Sequence, residues 1–348
     1  MKQISREIFE QQRRPRFGNA NPERMQCAFW EWMIRGDENA RVQVKGGPAA
    51  AGLMMREGKL KSVYGPYRAR DYFEVPMNRE DGPIWTFERY GATRSELPDG
   101  RVICIGGEHE DSYDPDFHIY NDVVAFGPEG EIEIYGYPEE VFPPTDFHTA
   151  TLVGDEIIVI GCLGNVKDRR PGFTPVYSIN TKSYRVSELS TSGKAPGWIF
   201  KHAAELSADH LVSIRGGQWV ELRNGKQWFK SNNEEFSLDI RTGAWTQTSS
   251  RDWPQWSIGQ EDGGVFVLDH EVRVRDLVPL GVEQISVAED SLDEAKFLLR
   301  GVPIRVIAGI RSIEIIAEGD LPEQLRREIP AVFRARVEAL CKKKCLVE

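Results

Sequence analysis

The chain has 348 residues, enough to bury a sizeable core, and its 44 basic and 54 acidic side chains give a net charge of −10. That charge disfavours a protein that tracks a nucleic-acid backbone, because such a protein needs a basic face to displace counterions. The sequence lacks an apolar stretch long enough to cross a bilayer and an apolar run at its start, so we expect a cytoplasmic protein without nucleic-acid or membrane partners.

The first predicted domain is a helical segment at residues 1–40. It contains an aromatic cluster in which Trp30, Met33 and Ile34 follow the i, i+3, i+4 spacing of one helix face. An apolar face of this kind usually packs against the body of a protein. We therefore predict a helix docked on the main domain, and a helix that binds a partner is the alternative.

Residues 41–90 are β-like but irregular. Short alternating or apolar runs occur at residues 42–45, 60–64, 72–75 and 84–87. Trp85 stands close to three repeat periods before Trp245, at the place where the last strand of a repeated unit would fall. This region is predicted to be a divergent first copy of the repeat that follows it.

A repeated pattern organises the centre of the chain. An alternating strand, a turn containing glycine or aspartate, and an apolar strand ending at glycine recur at residues 94–107, 147–161 and 202–217. Arg94, His148 and His202 stand at the head of these copies, 54 positions apart. A fixed period of this length indicates a repeat architecture.

Each copy continues with two more predicted strands. The third strands are predicted at residues 122–126, 175–179 and 235–240, and the fourth at residues 131–135, 183–189 and 244–248. Four antiparallel strands in about fifty residues make one blade of a β-propeller, which must stack on its neighbours. A further step of 54 reaches Trp256 and an apolar run at residues 265–268. We therefore predict an all-β propeller of about five or six blades over residues 41–290.

The order of motifs in residues 83–270 resembles the kelch repeat: His-Thr-Ala, an apolar strand, Gly-Gly, Asn-Asp-Val-Val and an aromatic residue in the last strand. The sequence departs from that pattern at Gly161-Cys162, which replaces the double glycine, and at Trp256. The resemblance implies that Arg94, His148 and His202 converge near a central channel as ligand contacts. The alternative is that these side chains tie adjacent blades together through hydrogen bonds.

Two loops after the second strands carry opposite charge. Residues 108–122 are acidic and contain His109, Asp111 and His118, which could contact a ligand or partner, bind a metal ion, or belong to a solvated loop. The equivalent loop of the next copy is basic and contains Arg169 and Arg170. If both loops lie on one rim, they form acidic and basic edges of one opening.

Trp198 is a further candidate contact at the mouth of that opening. It lies in the linker before the third copy, and a tryptophan at such a place either contacts a ligand or packs between blades. The predicted set of ligand contacts is Arg94, His109, Asp111, His118, His148, Arg169, Arg170, Trp198 and His202. We expect no cofactor and no metal site, except under the alternative that the acidic loop binds a metal ion.

The third predicted domain, residues 291–348, is an α/β tail that packs on or closes the propeller. Ser291 followed by Glu294 is a capping box that predicts a short helix, residues 302–307 and 313–317 predict a hairpin, and residues 322–344 predict an amphipathic helix. Cys341 and Cys345 flank three lysines, which leaves metal or redox chemistry open beside the simpler interpretation of solvated charge. Five scattered cysteines do not predict a disulfide framework.

These features predict a kelch-like binding module that presents its loops to a protein or to a small polar ligand. The first alternative is an enzyme acting on a sugar or sugar acid, with Arg94 holding a carboxylate and His148 or His202 moving a proton. The second is an inhibitor or immunity-type protein that uses its acidic residues. A propeller scaffold hosts both binding and catalysis, so the fold alone does not choose among them.

Overall fold

The computed structural model describes residues 4–43, 53–56, 59–62, 83–109, 117–223, 225–251, 253–264, 274–277, 283–286, 294–299, 301–309 and 312–348. Asp111 and the apolar run at residues 265–268 lie outside these ranges. The chain forms two compact units, Met1–Ile214 with Ser237–Thr246, and Arg215–Phe236 with Gln247–Glu348. Most residues in regular structure belong to antiparallel strands, which confirms the prediction of a mainly β protein.

The N-terminal part of the first unit contains helix α1 (Arg6–Gln12), strand β1 (Glu23–Arg24) and helix α2 (Ala28–Gln43). Ser5 is the N-cap of helix α1, and its hydroxyl accepts a hydrogen bond from the Ile8 amide at 3.2 Å. The predicted aromatic face of the second helix is confirmed, because Phe29, Trp30, Met33 and Ile34 are buried. They pack against the first sheet of the unit in one core cluster.

Two strands predicted before residue 90 are wrong. Residues 42–43 form the end of α2. Residues 84–87 form no strand, because their backbone amides bond outside a ladder: Trp85 N–H donates to Arg13 O and Thr86 N–H to the Tyr120 hydroxyl. The Trp85 ring instead stacks on Trp30, with centroids 5.0 Å apart. Between these segments β2 (Leu53–Arg56) pairs with β3 (Lys59–Ser62).

Three sheets follow, each with a core of four antiparallel strands; the first and third have a fifth strand at one edge. The first contains β4 (Thr93–Glu96), β5 (Val102–Ile105), β8 (Val123–Phe126) and β9 (Ile132–Gly136). In the chain, a separate short pair, β6 (Glu108–His109) and β7 (His118–Ile119), comes between β5 and β8. The second contains β10 (Thr149–Val153), β11 (Glu156–Ile160), β12 (Val176–Asn180) and β13 (Val186–Glu188). The predicted strands of both sheets are confirmed to within a few residues.

The third sheet follows β14 (Ser192–Gly193) and β15 (Ile199–Phe200) in the chain. It contains β16 (Ala203–Ala208), β17 (Leu211–Arg215), β20 (Glu235–Asp239) and β21 (Ala244–Gln247). Between its second and third strands the chain forms a hairpin of the second unit, β18 (Gln218–Arg223) and β19 (Lys226–Ser231). The four strands of each sheet occur in sheet order along the chain, as the repeat predicts.

The first strands of the three sheets lie side by side, because β10 contacts both β4 and β16. The residues two positions before these strands, Gly91, Phe147 and Lys201, all have positive φ, at 65°, 48° and 54°. They form a backbone ladder in which Phe147 N–H donates to Gly91 O and Lys201 N–H donates to Phe147 O, each at 2.8 Å. The three sheets are therefore joined at equivalent positions.

This ladder corrects the predicted register of the first copy. The residue equivalent to His148 and His202 is Ala92, because each stands immediately before the first strand of its sheet. Arg94 is the second residue of β4 and pairs with Cys104. The 54-residue spacing holds from the second copy to the third, but the interval from the first copy to the second is two residues longer. The apolar pattern of the sequence does not show this difference.

The outer edge of each sheet is covered by another part of the first unit. Strand β1 pairs with β9, and β14 runs parallel to β21. At the second sheet the Asn21 side chain takes the place of a strand: its amide donates to Val186 O at 2.7 Å and its carbonyl accepts from Val186 N at 2.8 Å. The N-terminal segment thus covers two of the three edges.

The second unit contains a six-stranded antiparallel sheet in the order β23–β24–β25–β26–β22–β27. Its strands are β22 (Gln255–Gln260), β23 (Glu283–Ser286), β24 (Glu294–Leu299), β25 (Val302–Ala308), β26 (Ser312–Ala317) and β27 (Cys345–Val347). Helix α3 (Glu323–Cys341) buries Leu325, Ile329, Phe333 and Val337 in the same core as Phe297, Val306 and Ile315. The predicted hairpin and C-terminal helix are confirmed.

Two other predictions for this region are wrong. Residues 294–296, predicted to start a helix at a capping box, belong to β24, because Ala295 and Phe297 alternate into the core and the strand is paired on both sides. Trp256 does not head a fourth sheet of the repeated kind, since β22 pairs with β26 and β27. Among the helices that the structure describes, none combines the length and apolar character needed to cross a bilayer.

Candidate functional site

A cavity of about 560 Å³ opens on the first unit between three loops. We call it the linker cavity. Its walls combine apolar and small residues with five charged ones: Pro143, Pro144, Thr145, Cys162, Gly164, Pro175, Tyr177 and Trp198, and Glu139, Glu140, Lys167, Asp168 and Arg170. A mostly apolar concave surface with a few convergent polar groups is the usual form of a small-molecule site.

The first loop, between β9 and β10, is held by Asn121. The Asn121 side-chain amide donates to Tyr137 O at 3.0 Å and to Phe142 O at 2.6 Å. These bonds fix the segment that contains Glu139 and Glu140, and so they place both residues at the cavity wall.

The second loop, between β11 and β12, is fixed by two charged side chains behind the cavity. The Asp146 carboxylate accepts from Gly164 N at 2.6 Å. Arg169 donates to Leu163 O at 3.0 Å and to Gly164 O. Arg169 therefore positions the loop, whereas its neighbour Arg170 lines the cavity and is exposed.

Trp198 forms the wall from the third loop. Its indole N–H donates to Leu163 O at 3.0 Å, and its side chain is only 4% exposed. The hydroxyl of Thr174 donates to Gly197 O at 2.7 Å and holds the backbone beside it. Because the indole is hydrogen-bonded and packed, the ring is held in one orientation before any ligand arrives.

The charged groups at the rim differ in the contacts that they already make within the protein. Lys167 and Glu139 form an ion pair at 3.3 Å. The Arg170 guanidinium lies over the Phe173 ring at 4.0 Å, which orients it by a cation–π contact. Asp168 Oδ2 is shielded from solvent and has no hydrogen-bond partner within the part of the chain that the structure describes. Arg170 and Asp168 are thus the groups best placed to contact a ligand.

Burial shifts the pKa values of two groups at the wall. Burial raises the pKa of Asp146, although Gly164 N, the adjacent Glu108 carboxyl and Arg169 oppose the shift. Burial also raises the pKa of the Cys162 thiol to about 12, so this wall residue is a thiol at neutral pH. Asp146 is fully buried and does not line the cavity, so its contribution is to loop position.

His148 and His202 lie outside this cavity, at the strand heads. The Nε2 atom of His148 lies 2.7 Å from the Thr93 hydroxyl, and that of His202 lies 2.9 Å from the Thr149 hydroxyl. Each histidine therefore bonds to the first strand of the preceding sheet. Burial lowers the pKa of His148 to about 3 and of His202 to about 4, so both are neutral. Arg94 does not join them; it lines a second, smaller cavity of about 130 Å³.

His109 and His118 face each other in the β6–β7 pair. Burial, reinforced by the positive charge of Arg89, lowers the pKa of each to about 4. Arg89 forms a buried ion pair with Asp122. The described residues contain no group of three or more histidine, cysteine, aspartate or glutamate side chains arranged to hold a metal ion.

The structure therefore brings Trp198 and Arg170 together at one cavity, with Arg169 behind the wall. It places His109 with His118, and His148 with His202, in separate buried positions. Sequence reasoning missed five polar or aromatic wall residues, Glu139, Glu140, Lys167, Asp168 and Tyr177. The charged sequence 167–170 was a usable signal, because it occupies the same loop position as the acidic segment of the first copy.

No protein-family model matches this sequence, and no curated protein matches it. Among solved structures, one described as "Structure of YjhT" aligns with a TM-score of 0.34 and 11% sequence identity, over 68% of this chain and 67% of that chain. A similarity at that level assigns neither a fold family nor an activity.

Proposed function

We propose that this protein is a kelch-like, propeller-type binding module and that the linker cavity binds a small polar ligand. The arrangement of the first unit supports the scaffold: three four-stranded sheets stand side by side and a backbone ladder joins their inner strands. The cavity is the observation that carries the ligand proposal, because its volume of about 560 Å³ is within the usual range for small-molecule sites.

The charges of the wall define the kind of ligand. Arg170 donates hydrogen bonds and carries positive charge, whereas Asp168 and Glu140 accept them and carry negative charge. Trp198 and Tyr177 supply flat apolar surface between these groups. A compact molecule with an anionic group, several hydroxyl or amino donors and an apolar face would satisfy all three features.

A binding role fits the described side chains better than proton transfer by the histidines. His148 and His202 are buried, bonded to threonine hydroxyls and not among the residues that line the linker cavity. Of the groups that line it, Lys167 and Glu139 are ion-paired and Arg170 is stacked on Phe173, which suits recognition. The enzyme alternative requires a substrate to reach those imidazoles.

The test is a ligand screen with Arg170→Ala as the diagnostic variant. Neutral hexoses, hexuronic acids, hexosamines and free amino acids are tested separately by saturation-transfer NMR and by thermal shift. We expect at least one class to bind the wild type, and R170A to weaken that binding by about 10- to 100-fold, because a charge-assisted hydrogen bond contributes roughly 1.5–3 kcal/mol.

Arg185→Ala is the matched control, since Arg185 is an exposed arginine of the same unit that does not line the cavity. It should retain wild-type affinity. If all four classes fail to bind, or if a ligand that binds is indifferent to R170A, the cavity is not the site. In that case a protein partner captured through the same loops becomes the better explanation.

A further inference from the structure

Cys341 and Cys345 lie together at the end of the second unit, away from the proposed ligand site in the chain. Cys341 is the last residue of α3, and Cys345 is the first residue of β27. The sulfur atoms of both lie 3.7 Å from the same carbonyl oxygen, that of Lys343. The two thiols are also hydrogen-bonded to each other. They are therefore neighbours in space, although three residues separate them in the chain.

The backbone around the two thiols is fixed on both sides. Lys342 has a left-handed conformation, with φ of 55°, and its amide donates to Glu338 O at 2.9 Å. The Cys345 amide donates to Glu338 Oε1 at 2.8 Å, and Cys345 pairs with Gln260 of β22. The turn is thus held in the shape that brings the sulfur atoms together, without help from a covalent bond.

We propose that Cys341 and Cys345 form a reversible disulfide when the protein meets a low-molecular-weight disulfide such as glutathione disulfide. A two-thiol metal site is the other use of such a pair. The described residues offer no third histidine, cysteine, aspartate or glutamate to complete one. Oxidation is the chemistry that two adjacent thiols can perform alone.

The two cysteines have different roles in the reaction. Cys341 is partly exposed and is followed by three exposed lysines, Lys342–Lys344, which attract the carboxylates of glutathione disulfide. Cys345 is 5% exposed, and burial together with the neighbouring Cys341 raises the pKa of its thiol to about 12. Cys341 is therefore the attacking thiol and Cys345 the resolving thiol.

The exchange balances in two steps. The Cys341 thiolate attacks one sulfur of glutathione disulfide and releases one glutathione thiolate, which leaves a mixed disulfide on Cys341. The Cys345 thiol then loses its proton and attacks the Cys341 sulfur, which releases the second glutathione. Two protein thiols give up two electrons and two protons, and one glutathione disulfide becomes two molecules of glutathione.

Peptide mapping of the native, full-length chain tests the proposal directly. Trypsin cuts after Arg336, Lys342 and Lys344, so the two cysteines fall in separate peptides, residues 337–342 and 345–348. After treatment with glutathione disulfide and blocking of free thiols, most of the chain should yield these two peptides joined, with a mass two hydrogens below their sum. Dithiothreitol should separate them again.

Two variants separate the steps. Cys345→Ala should stop at the mixed disulfide of glutathione with Cys341, and Cys341→Ser should yield no joined peptide and leave Cys345 unmodified. The oxidised wild type should also melt at a higher temperature than the reduced form, because the bond constrains the unfolded chain, and C341S should show no such shift. Recovery of both peptides unlinked, or of Cys341 joined to Cys27, Cys104 or Cys162 instead, would overturn the proposal.

Discussion

The Arg89 guanidinium lies between two aromatic rings and forms a buried ion pair with Asp122. Its central carbon is 3.4 Å from the centroid of the Tyr120 ring and 4.9 Å from that of Trp85. Asp122 also accepts a hydrogen bond from the Trp85 indole at 3.0 Å. Because both charged side chains are almost completely buried, each supplies the counter-charge that the other needs in this position.

Asp122→Ala should therefore lower the free energy of unfolding by about 3–5 kcal/mol, because it leaves the buried guanidinium without its counter-charge and the Trp85 indole without its acceptor. Equilibrium urea denaturation measures the change. The control is Asp155→Ala, which removes an exposed ion pair with Lys182 and should cost less than about 1 kcal/mol. Equal losses in the two variants would contradict the role given to burial.

Glycines at the ends of the second strands allow neighbouring sheets to approach each other closely. A Cβ on Gly161 would lie 2.3 Å from Ile199 O, and one on Gly106 would lie 2.2 Å from Thr145 O. Both residues also have positive φ. In the first two copies, the glycine that ends the apolar run therefore marks a contact with the backbone of the next copy, as well as a turn.

Gly161→Ala should be more damaging than Gly154→Ala. Both positions have φ near 65°, so both substitutions carry the cost of a left-handed alanine, about 1–2 kcal/mol. A Cβ at Gly154 meets nothing within 4 Å, whereas the one at Gly161 meets backbone. We expect the difference between the variants to be about 1–3 kcal/mol by urea denaturation, and similar losses would argue against the close approach.

The strands of the three sheets could be predicted because two signals agree there. In β11, for example, Ile157 to Ile160 are buried on both faces and a glycine turn stands at each end, so the pattern and the turn chemistry coincide. The capping box at Ser291 gave a wrong helix, since a local signal of a few tenths to about 2 kcal/mol yields to strand pairing on both sides. The stacking of Trp85 on Trp30 likewise has no local signal.

The ligand site could be predicted only in part. Arg170 follows from the comparison of equivalent loops in successive copies, and Trp198 follows from its place in the linker before the third copy. Glu139 does not, because an isolated charge in a linker has no spacing rule, and only the folded loop brings it to the cavity wall. Arg94 was placed with the two histidines because the first repeat interval is two residues longer than the second.

Acid sensitivity is the whole-molecule property that follows from the buried histidines. The folded-state pKa values of His109, His118 and His202 are about 4, and that of His148 is about 3, against an ordinary value of 6.5. The unfolded chain binds protons at these sites first, so stability is present above pH 6.5 and is lost as pH falls toward 4.

Urea unfolding at pH 7 and pH 5 tests this expectation. Each buried histidine should remove roughly 2 kcal/mol of stability between these two pH values, and His148→Gln should reduce the total loss by that amount. His210→Gln is the control, because it removes a histidine that is partly exposed, and equal effects of the two variants would argue against burial as the cause. A wild-type stability that is the same at both pH values would contradict the neutral state of these imidazoles.

The coverage of the three outer sheet edges has a consequence for how copies of this protein meet one another. An uncovered strand offers unpaired amides and carbonyls to any passing β-strand, which is the start of aggregation and domain exchange. Here β1, Asn21 and β14 occupy those groups, and two of the three come from the first two dozen residues. Proteolytic loss of that short segment would expose the edge strands of the first two sheets to other β-strands. We therefore expect the N-terminal segment to prevent aggregation as well as to stabilise the fold.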